Sequence, residues 1–103
     1  MSESAGHQRA KNQAAGTNGQ TEVPLSAGRR LDALTTTGRA TEVERSGTAA
    51  GLQAAARRLR DADASQRVLQ VPQQDMDAAA AAMRKVGVHG TVKNMAGTKR
   101  RPV

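Results

Sequence analysis

Three acidic residues lie close together in one short part of the sequence, between residues 30 and 47. Glu42 and Glu44 are two positions apart, so both side chains face the same side if this segment is a β-strand. Asp32 precedes a turn signal at Gly38, and a hairpin that turns there would bring Asp32 beside Glu42. The spacing therefore predicts three carboxylates on one face of a hairpin.

Such a group of carboxylates has two interpretations. Like charges packed closely raise each other's pKa unless a cation lies between them, and carboxylate oxygens are hard ligands suited to Mg²⁺ or Mn²⁺. The structural alternative is a solvated strand face that Arg39 and Arg45 neutralise. On the first interpretation, four nearby arginines could hold a phosphodiester beside the metal ion. These are Arg29, Arg30, Arg39 and Arg45.

The elements that would position this group follow from hydrophobic periodicity and turn residues. The sequence predicts an α/β fold with a small mixed sheet and the order β-β-α-β-α-β. The first two strands form the hairpin, and the remaining elements are a helix, a buried strand, a second helix and a last strand. The expected strands cover residues 29–36, 39–45, 67–71 and 88–95. The first helix is expected to run from a cap at Ser46 or Thr48 to about residue 63, and the second from 73 to 86.

Both ends of the chain differ in composition from this core. Residues 1–28 are rich in Ser, Gly, Gln and Asn, and we expect a disordered or weakly helical polar arm. Residues 29–95 form the expected core domain. Residues 96–103 are expected to be a basic tail that contains Lys99, Arg100 and Arg101.

Composition limits the class of protein. The 103 residues carry a net charge of +7 and contain no Cys, Trp, Tyr or Phe. A disulfide framework, a cysteine zinc site and aromatic stacking of bases are therefore excluded. No apolar run approaches the roughly 20 residues that span a membrane, so no membrane partner is expected. The core has few large side chains, and this favours stabilisation by a partner, a metal ion or a second subunit.

The motif itself resembles one known family. Leu31-Asp32-Ala33-Leu34, a short turn and Thr41-Glu42-Val43-Glu44 are similar to the PD-(D/E)xK motif of restriction-endonuclease-like nucleases. The order of elements over about residues 29–94 resembles the core of that superfamily. It resembles in particular the small nuclease domains found as toxin modules in bacterial polymorphic toxins.

The resemblance implies a role for each acidic residue. Asp32 and Glu42 would be the ligands of a catalytic Mg²⁺ or Mn²⁺ ion. Glu44 occupies the position where the family usually has Lys, and it would be either a general base or the mark of an inactive copy. An acidic residue on a helix before the hairpin has no good counterpart here, since Glu22 is the only candidate.

The sequence therefore predicts a metal-dependent nuclease that acts on DNA, with RNA as a second choice. The alternative is a non-enzymatic basic module that binds nucleic acid or protein, or a subunit or fragment of a larger assembly. A homo-oligomer is also open. A cytoplasmic location is expected, with export by a dedicated secretion system left open. The expected nucleic-acid contacts are Arg29, Arg30, Arg39, Arg45, Lys99, Arg100 and Arg101.

Overall fold

The computed structural model describes residues 5–103, and within them three helices accompany one six-stranded sheet. The expected α/β class with a mixed sheet is confirmed. None of the helices in these residues is long and apolar enough to cross a membrane. The helices are α1 (Ala5–Ala15), α2 (Ala49–Asp61) and α3 (Met76–Val86). The strands are β1 (Gln20–Pro24), β2 (Arg30–Leu34), β3 (Arg39–Val43), β4 (Gln66–Val71), β5 (Thr91–Asn94) and β6 (Arg100–Pro102).

The sheet contains both antiparallel and parallel pairs, and its strands follow chain order from one edge to the other. β1, β2 and β3 are antiparallel neighbours. β3, β4 and β5 are parallel, and β6 returns antiparallel to β5. Parallel neighbours need a crossover connection, which α2 and α3 supply.

The larger hydrophobic core lies between the sheet and the two crossover helices. Leu52 and Leu59 of α2 and Met83 of α3 are fully buried, and they cluster with Leu69 and Val71 of β4. Alanines fill most of the remaining contact between the helices. The two helices can therefore pack closely although the chain has no aromatic side chain.

Helix α1 covers part of the opposite face of the sheet. Ala40 belongs to the main core, and side chains alternate along a strand, so Thr41 and Val43 point the other way. Both are nonetheless buried, and α1 packs against β2 and β3 with Ala10 and Ala15 buried. The carboxylate-bearing strands are therefore enclosed between α1 on one side and α2 on the other.

Local signals fix the elements that flank the acidic residues. Gly38 turns the β2–β3 hairpin with a φ of 90°, and its N–H donates to the Thr35 carbonyl at 3.1 Å. Thr48 caps α2 by accepting a hydrogen bond from the Gly51 N–H at 3.1 Å. A side-chain cap of this kind contributes about 1 kcal/mol. These two features determine how β3 leaves the hairpin and enters α2.

The chain ends differ from the expected arm and tail. α1 is a packed helix, β1 pairs with β2, and β6 pairs with β5, while residues 1–4 of the expected arm lie outside the described residues. The observed order of helices and strands, α1-β1-β2-β3-α2-β4-α3-β5-β6, thus differs from the expected β-β-α-β-α-β by one additional helix and two additional edge strands. Edge strands are held by backbone hydrogen bonds on one side, so polar sequences such as Gln20–Pro24 can form them without an apolar alternation.

Candidate functional site

The β2–β3 hairpin brings Asp32 and Glu42 together. Ala33 pairs with Thr41 in the ladder, and the same register one step further sets Asp32 opposite Glu42. At this position the two acidic side chains accept hydrogen bonds from backbone N–H groups. The Asp32 N–H donates to Glu42 Oε2 at 2.7 Å, and the Val43 N–H donates to Asp32 Oδ2 at 2.7 Å. The two carboxylates therefore lie between the strands, and each accepts a hydrogen bond from a backbone N–H of the opposite strand.

Burial makes this pair of carboxyl groups hard to ionise. The Glu42 side chain is 0% exposed and that of Asp32 is 15% exposed. Burial, followed by the charge of Asp32, raises the pKa of Glu42 to about 7, although the Arg58 guanidinium lowers it. Burial also raises the pKa of Asp32 against the opposing effect of the Val43 hydrogen bond. The pKa of Glu42 thus lies close to neutral pH, and the pKa of Asp32 lies above its ordinary value.

Basic groups approach the pair from both flanking helices. From α2, Arg58 Nε donates to Glu42 Oε1 at 2.5 Å. From α1, His7 Nε2 lies 3.6 Å from Asp32 Oδ2. The fully buried Lys11 pairs with Glu22 and also acts electrostatically on Asp32. These contacts bring positive charge to the two adjacent carboxyl groups and offset their mutual repulsion.

Glu44 does not join this pair. Its Oε1 accepts a hydrogen bond from the Ser46 N–H at 3.0 Å, beside the first turn of α2. Among residues 5–103, no three His, Cys, Asp or Glu side chains are grouped so that they could hold one metal ion. The expected trio of carboxylates is therefore a pair, because the chain turns toward the Thr48 cap immediately after β3.

The four arginines expected around the acids have separate surroundings. Arg29 pairs with Asp61 at 2.7 Å, and Arg39 Nε donates to Gln66 Oε1 at 3.0 Å. Arg30 is exposed at the start of β2. Arg45 lies against the start of α1, where a Cβ on Gly6 would be 3.0 Å from its Nη1. Arg29 and Arg39 thus bond to residues other than the two acids, and a shared role of the four arginines around the acids stays a prediction.

The C-terminal basic residues also separate. Arg101 pairs with Asp77 of α3, and Lys99 is exposed. Arg100 borders a cavity together with Arg39. Arg39 and Arg100 are thus two predicted nucleic-acid contacts that border one cavity.

Sequence reasoning missed the cations that contact the acids. Arg58 lies directly beside the buried position Leu59 on α2, so helical periodicity places it at the border of the buried stripe. That position is the one signal that could have indicated an inward-reaching arginine. His7 and Lys11 lie in the expected polar arm, where nothing in the sequence predicts docking on the hairpin.

The pair consists of the oxygen donors that magnesium and manganese ions take, but both Glu42 oxygens already accept hydrogen bonds, from the Asp32 N–H and from Arg58. Mg²⁺ commonly keeps several waters and is bound by one or two carboxylates together with substrate phosphates. Asp32 and Glu42 supply two adjacent carboxylates whose mutual repulsion a divalent cation would relieve. An ion at this place would be held by two side chains and would have to displace at least one of the hydrogen bonds to Glu42.

Comparison with known protein families, with curated proteins and with solved structures finds no match to this chain.

Proposed function

We propose that this chain is a metal-dependent nuclease that hydrolyses phosphodiester bonds in DNA, with RNA as the less favoured substrate. The observation that carries the proposal is the buried Asp32–Glu42 pair on the β2–β3 hairpin. Its members occupy the two positions that the PD-(D/E)xK resemblance assigns to metal ligands. Buried carboxyl pairs with raised pKa values are concentrated at functional sites.

The arrangement of elements supports the same proposal. A helix, α1, packs over the hairpin that carries both acids, and α2 and β4 follow in the chain. This series is compatible with a restriction-endonuclease-like core. The residue types depart from the family pattern, because α1 presents His7 and Lys11 to the pair where the family has an acidic residue.

Each residue of the proposed site has a distinct task. Asp32 and Glu42 would hold the divalent cation, Mg²⁺ or Mn²⁺. When bound, the cation would supply Lewis-acid activation of the phosphate and of the attacking water. Glu44 would accept a proton from that water after releasing the Ser46 N–H. Arg58 would move from Glu42 toward the phosphate charge once the cation is present.

A second candidate function is a non-enzymatic basic module that binds nucleic acid or protein. Two contacts favour it: Arg58 already neutralises Glu42, and the carboxylate of Glu44 turns away toward Ser46. On this alternative, the acidic pair is a structural remnant of a nuclease fold. The two candidates differ in whether the pair is needed for cleavage.

Cleavage of supercoiled plasmid DNA tests the proposal. The full chain is incubated with Mg²⁺ or Mn²⁺, and its nicking rate is compared with the rates of Asp32→Ala, Glu42→Ala and Asp63→Ala. Asp63 is exposed and serves as the matched acidic control. We expect each of the first two variants to lose at least about 100-fold in rate and the control to match the wild type. Circular dichroism establishes that each variant is folded.

Equal, metal-independent background from all four folded proteins would end the nuclease proposal. Binding of DNA without cleavage would then favour the second candidate.

A further inference from the structure

A second polar feature lies on the face of the sheet that α1 leaves partly uncovered. Here a cavity of about 410 Å³ is bordered by the first residues of β3, β4 and β5 and by β6. Its polar lining includes Arg39, Gln66, His89, Thr91 and Arg100. None of its lining residues is acidic, so positive charge dominates the cavity.

Strand register concentrates this charge further. Lys93 of β5 lies directly opposite Arg100 of β6 in the antiparallel ladder, and like charges in this arrangement are destabilising. Burial lowers the pKa of Lys93, and the neighbouring charges of Arg100 and Arg39 lower it further. The three cations thus form one group, which we call the basic group: Arg39, Lys93 and Arg100.

The basic group combines close spacing of its cations with the lack of an acidic partner. Arg29, Arg58 and Arg101 each pair with a carboxylate. Among residues 5–103, no carboxylate pairs with a member of the basic group. Arg39 uses its Nε for Gln66, which orients the guanidinium at the cavity. A guanidinium fixed in this way is suited to bidentate contact with a phosphate.

The cavity is separate from the carboxylate pair. Arg39 and Glu42 are three residues apart on β3, which corresponds to about 10 Å along the strand. Odd and even positions of a strand also point to opposite faces of the sheet. A ligand in the cavity would therefore contact the protein at a second place, away from Asp32 and Glu42.

We propose that the basic group binds the phosphate backbone of a nucleic acid and anchors the strand away from the carboxylate pair. The inference deepens the proposed function, because it names the surface that would hold the substrate. Charge complementarity commits the site to this occupant: the lining combines cations with neutral hydrogen-bond donors and has no carboxylate. Phosphate binding of this kind needs no base sequence, so duplexes of any sequence would bind.

Fluorescence anisotropy with a labelled 20-base-pair duplex in EDTA tests this site without allowing metal-dependent cleavage. The wild type is compared with the double variant Arg39→Ala/Arg100→Ala and with Lys93→Met. Arg84→Ala is the matched control, since Arg84 is an exposed cation on α3. We expect the double variant to weaken binding at least about 10-fold at 0.1 M salt and to reduce the salt slope by about 2. The control should stay within about twofold of the wild type.

Two further arms identify the ligand and separate this inference from the nuclease proposal. Unlabelled duplex should displace the probe at much lower charge concentration than inorganic phosphate or polyglutamate. Asp32→Ala should bind the duplex as the wild type does, even though it is expected to lose cleavage. A wild type that binds the duplex but does not cleave plasmid DNA with Mg²⁺ or Mn²⁺ would overturn only the nuclease proposal.

Three results would overturn the basic group as an anchor. These are no duplex binding by the wild type, an unchanged affinity and salt slope in the folded double variant, and equal displacement by polyglutamate.

Discussion

The sheet carries one group of acidic residues and one group of basic residues, and the two groups have different surroundings. Asp32 and Glu42 are buried and contacted by cations from both flanking helices. In the basic group, Arg39 and Arg100 border an open cavity and Lys93 lies opposite Arg100, and no member has an acidic partner among the described residues. The fold compensates the first group with cations of its own, whereas the second group is the one for which we propose an external anion. Buried charge can be structural as well as functional, so the acidic pair needs tests that separate a structural role from a functional one.

The largest expected effect on stability comes from removing the cation that compensates Glu42. Arg58→Met keeps most of the aliphatic stem but leaves the buried carboxylate without its partner. We expect a loss of about 3 kcal/mol in the free energy of unfolding at pH 8, measured by urea denaturation. The loss should shrink at pH 5, where Glu42 can be protonated.

Arg57→Met is the control for this prediction, since Arg57 is the exposed neighbour on α2. Equal losses in the two variants would mean that the Arg58–Glu42 contact contributes nothing specific.

The pH dependence of stability should be dominated by Glu42. Its pKa rises from 4.5 to about 7 on folding, so the folded state binds more protons than the unfolded state between these values. Its contribution to stability is therefore fully present below pH 4.5 and is lost as pH rises through 7. We expect the Tm of the wild type to fall by roughly 5–10 °C between pH 5 and pH 8.

Glu42→Gln should remove most of this fall, whatever its absolute Tm, while Asp63→Asn should retain it. A wild-type Tm that rises or stays level over this range contradicts the assignment.

A divalent cation should relieve the repulsion between the Asp32 and Glu42 carboxylates and so stabilise the fold. At pH 8 and a free Mg²⁺ concentration tenfold above its Kd, linkage predicts about 1.4 kcal/mol of added stability. The shift should be absent at pH 5, because protonated carboxyl groups are poor ligands. Differential scanning fluorimetry with Mg²⁺, with Ca²⁺ and with EDTA measures it. An equal shift in Asp32→Asn would assign the ion to another place.

The smallest expected effect concerns the basic group. Lys93→Met removes a charge on β5 that lies directly opposite Arg100 on the neighbouring strand β6. The variant should therefore stabilise the fold by a few tenths of a kcal/mol at low salt. Screening should abolish the gain at 1 M NaCl. Lys85→Met on the exposed end of α3 should show no such salt-dependent gain. A loss of stability in Lys93→Met at low salt would contradict the absence of an acidic partner.

The hairpin could be predicted from the sequence because its signals are local. Gly38 adopts the positive φ that its turn requires, and the apolar positions of α2 repeat at helical spacing. The pairing of Asp32 with Glu42 follows from the hairpin register alone. Thr48 indicated the start of α2 in the same local way.

The surroundings of the pair could not be predicted, because they depend on tertiary contacts. The docking of α1 rests on small alanines and on Lys11, a residue that is rarely buried. β1 contains Glu22 with a φ of 54°, which lies outside the extended region. Burial therefore does not alternate along β1, and an alternating apolar pattern could not predict this strand. The direction of Glu44 is set by the Ser46 N–H, a contact that exists only once the loop before α2 has formed.

The central claim is that the Asp32–Glu42 pair binds a divalent metal ion, and a direct binding measurement tests it best. Isothermal titration of the metal-free full chain with Mn²⁺ at pH 8 is carried out for the wild type, Asp32→Asn and Asp63→Asn. We expect one ion per chain in the wild type and in Asp63→Asn, and a loss of this binding in folded Asp32→Asn. Identical isotherms for the wild type and Asp32→Asn, or no binding by the wild type, would contradict the claim.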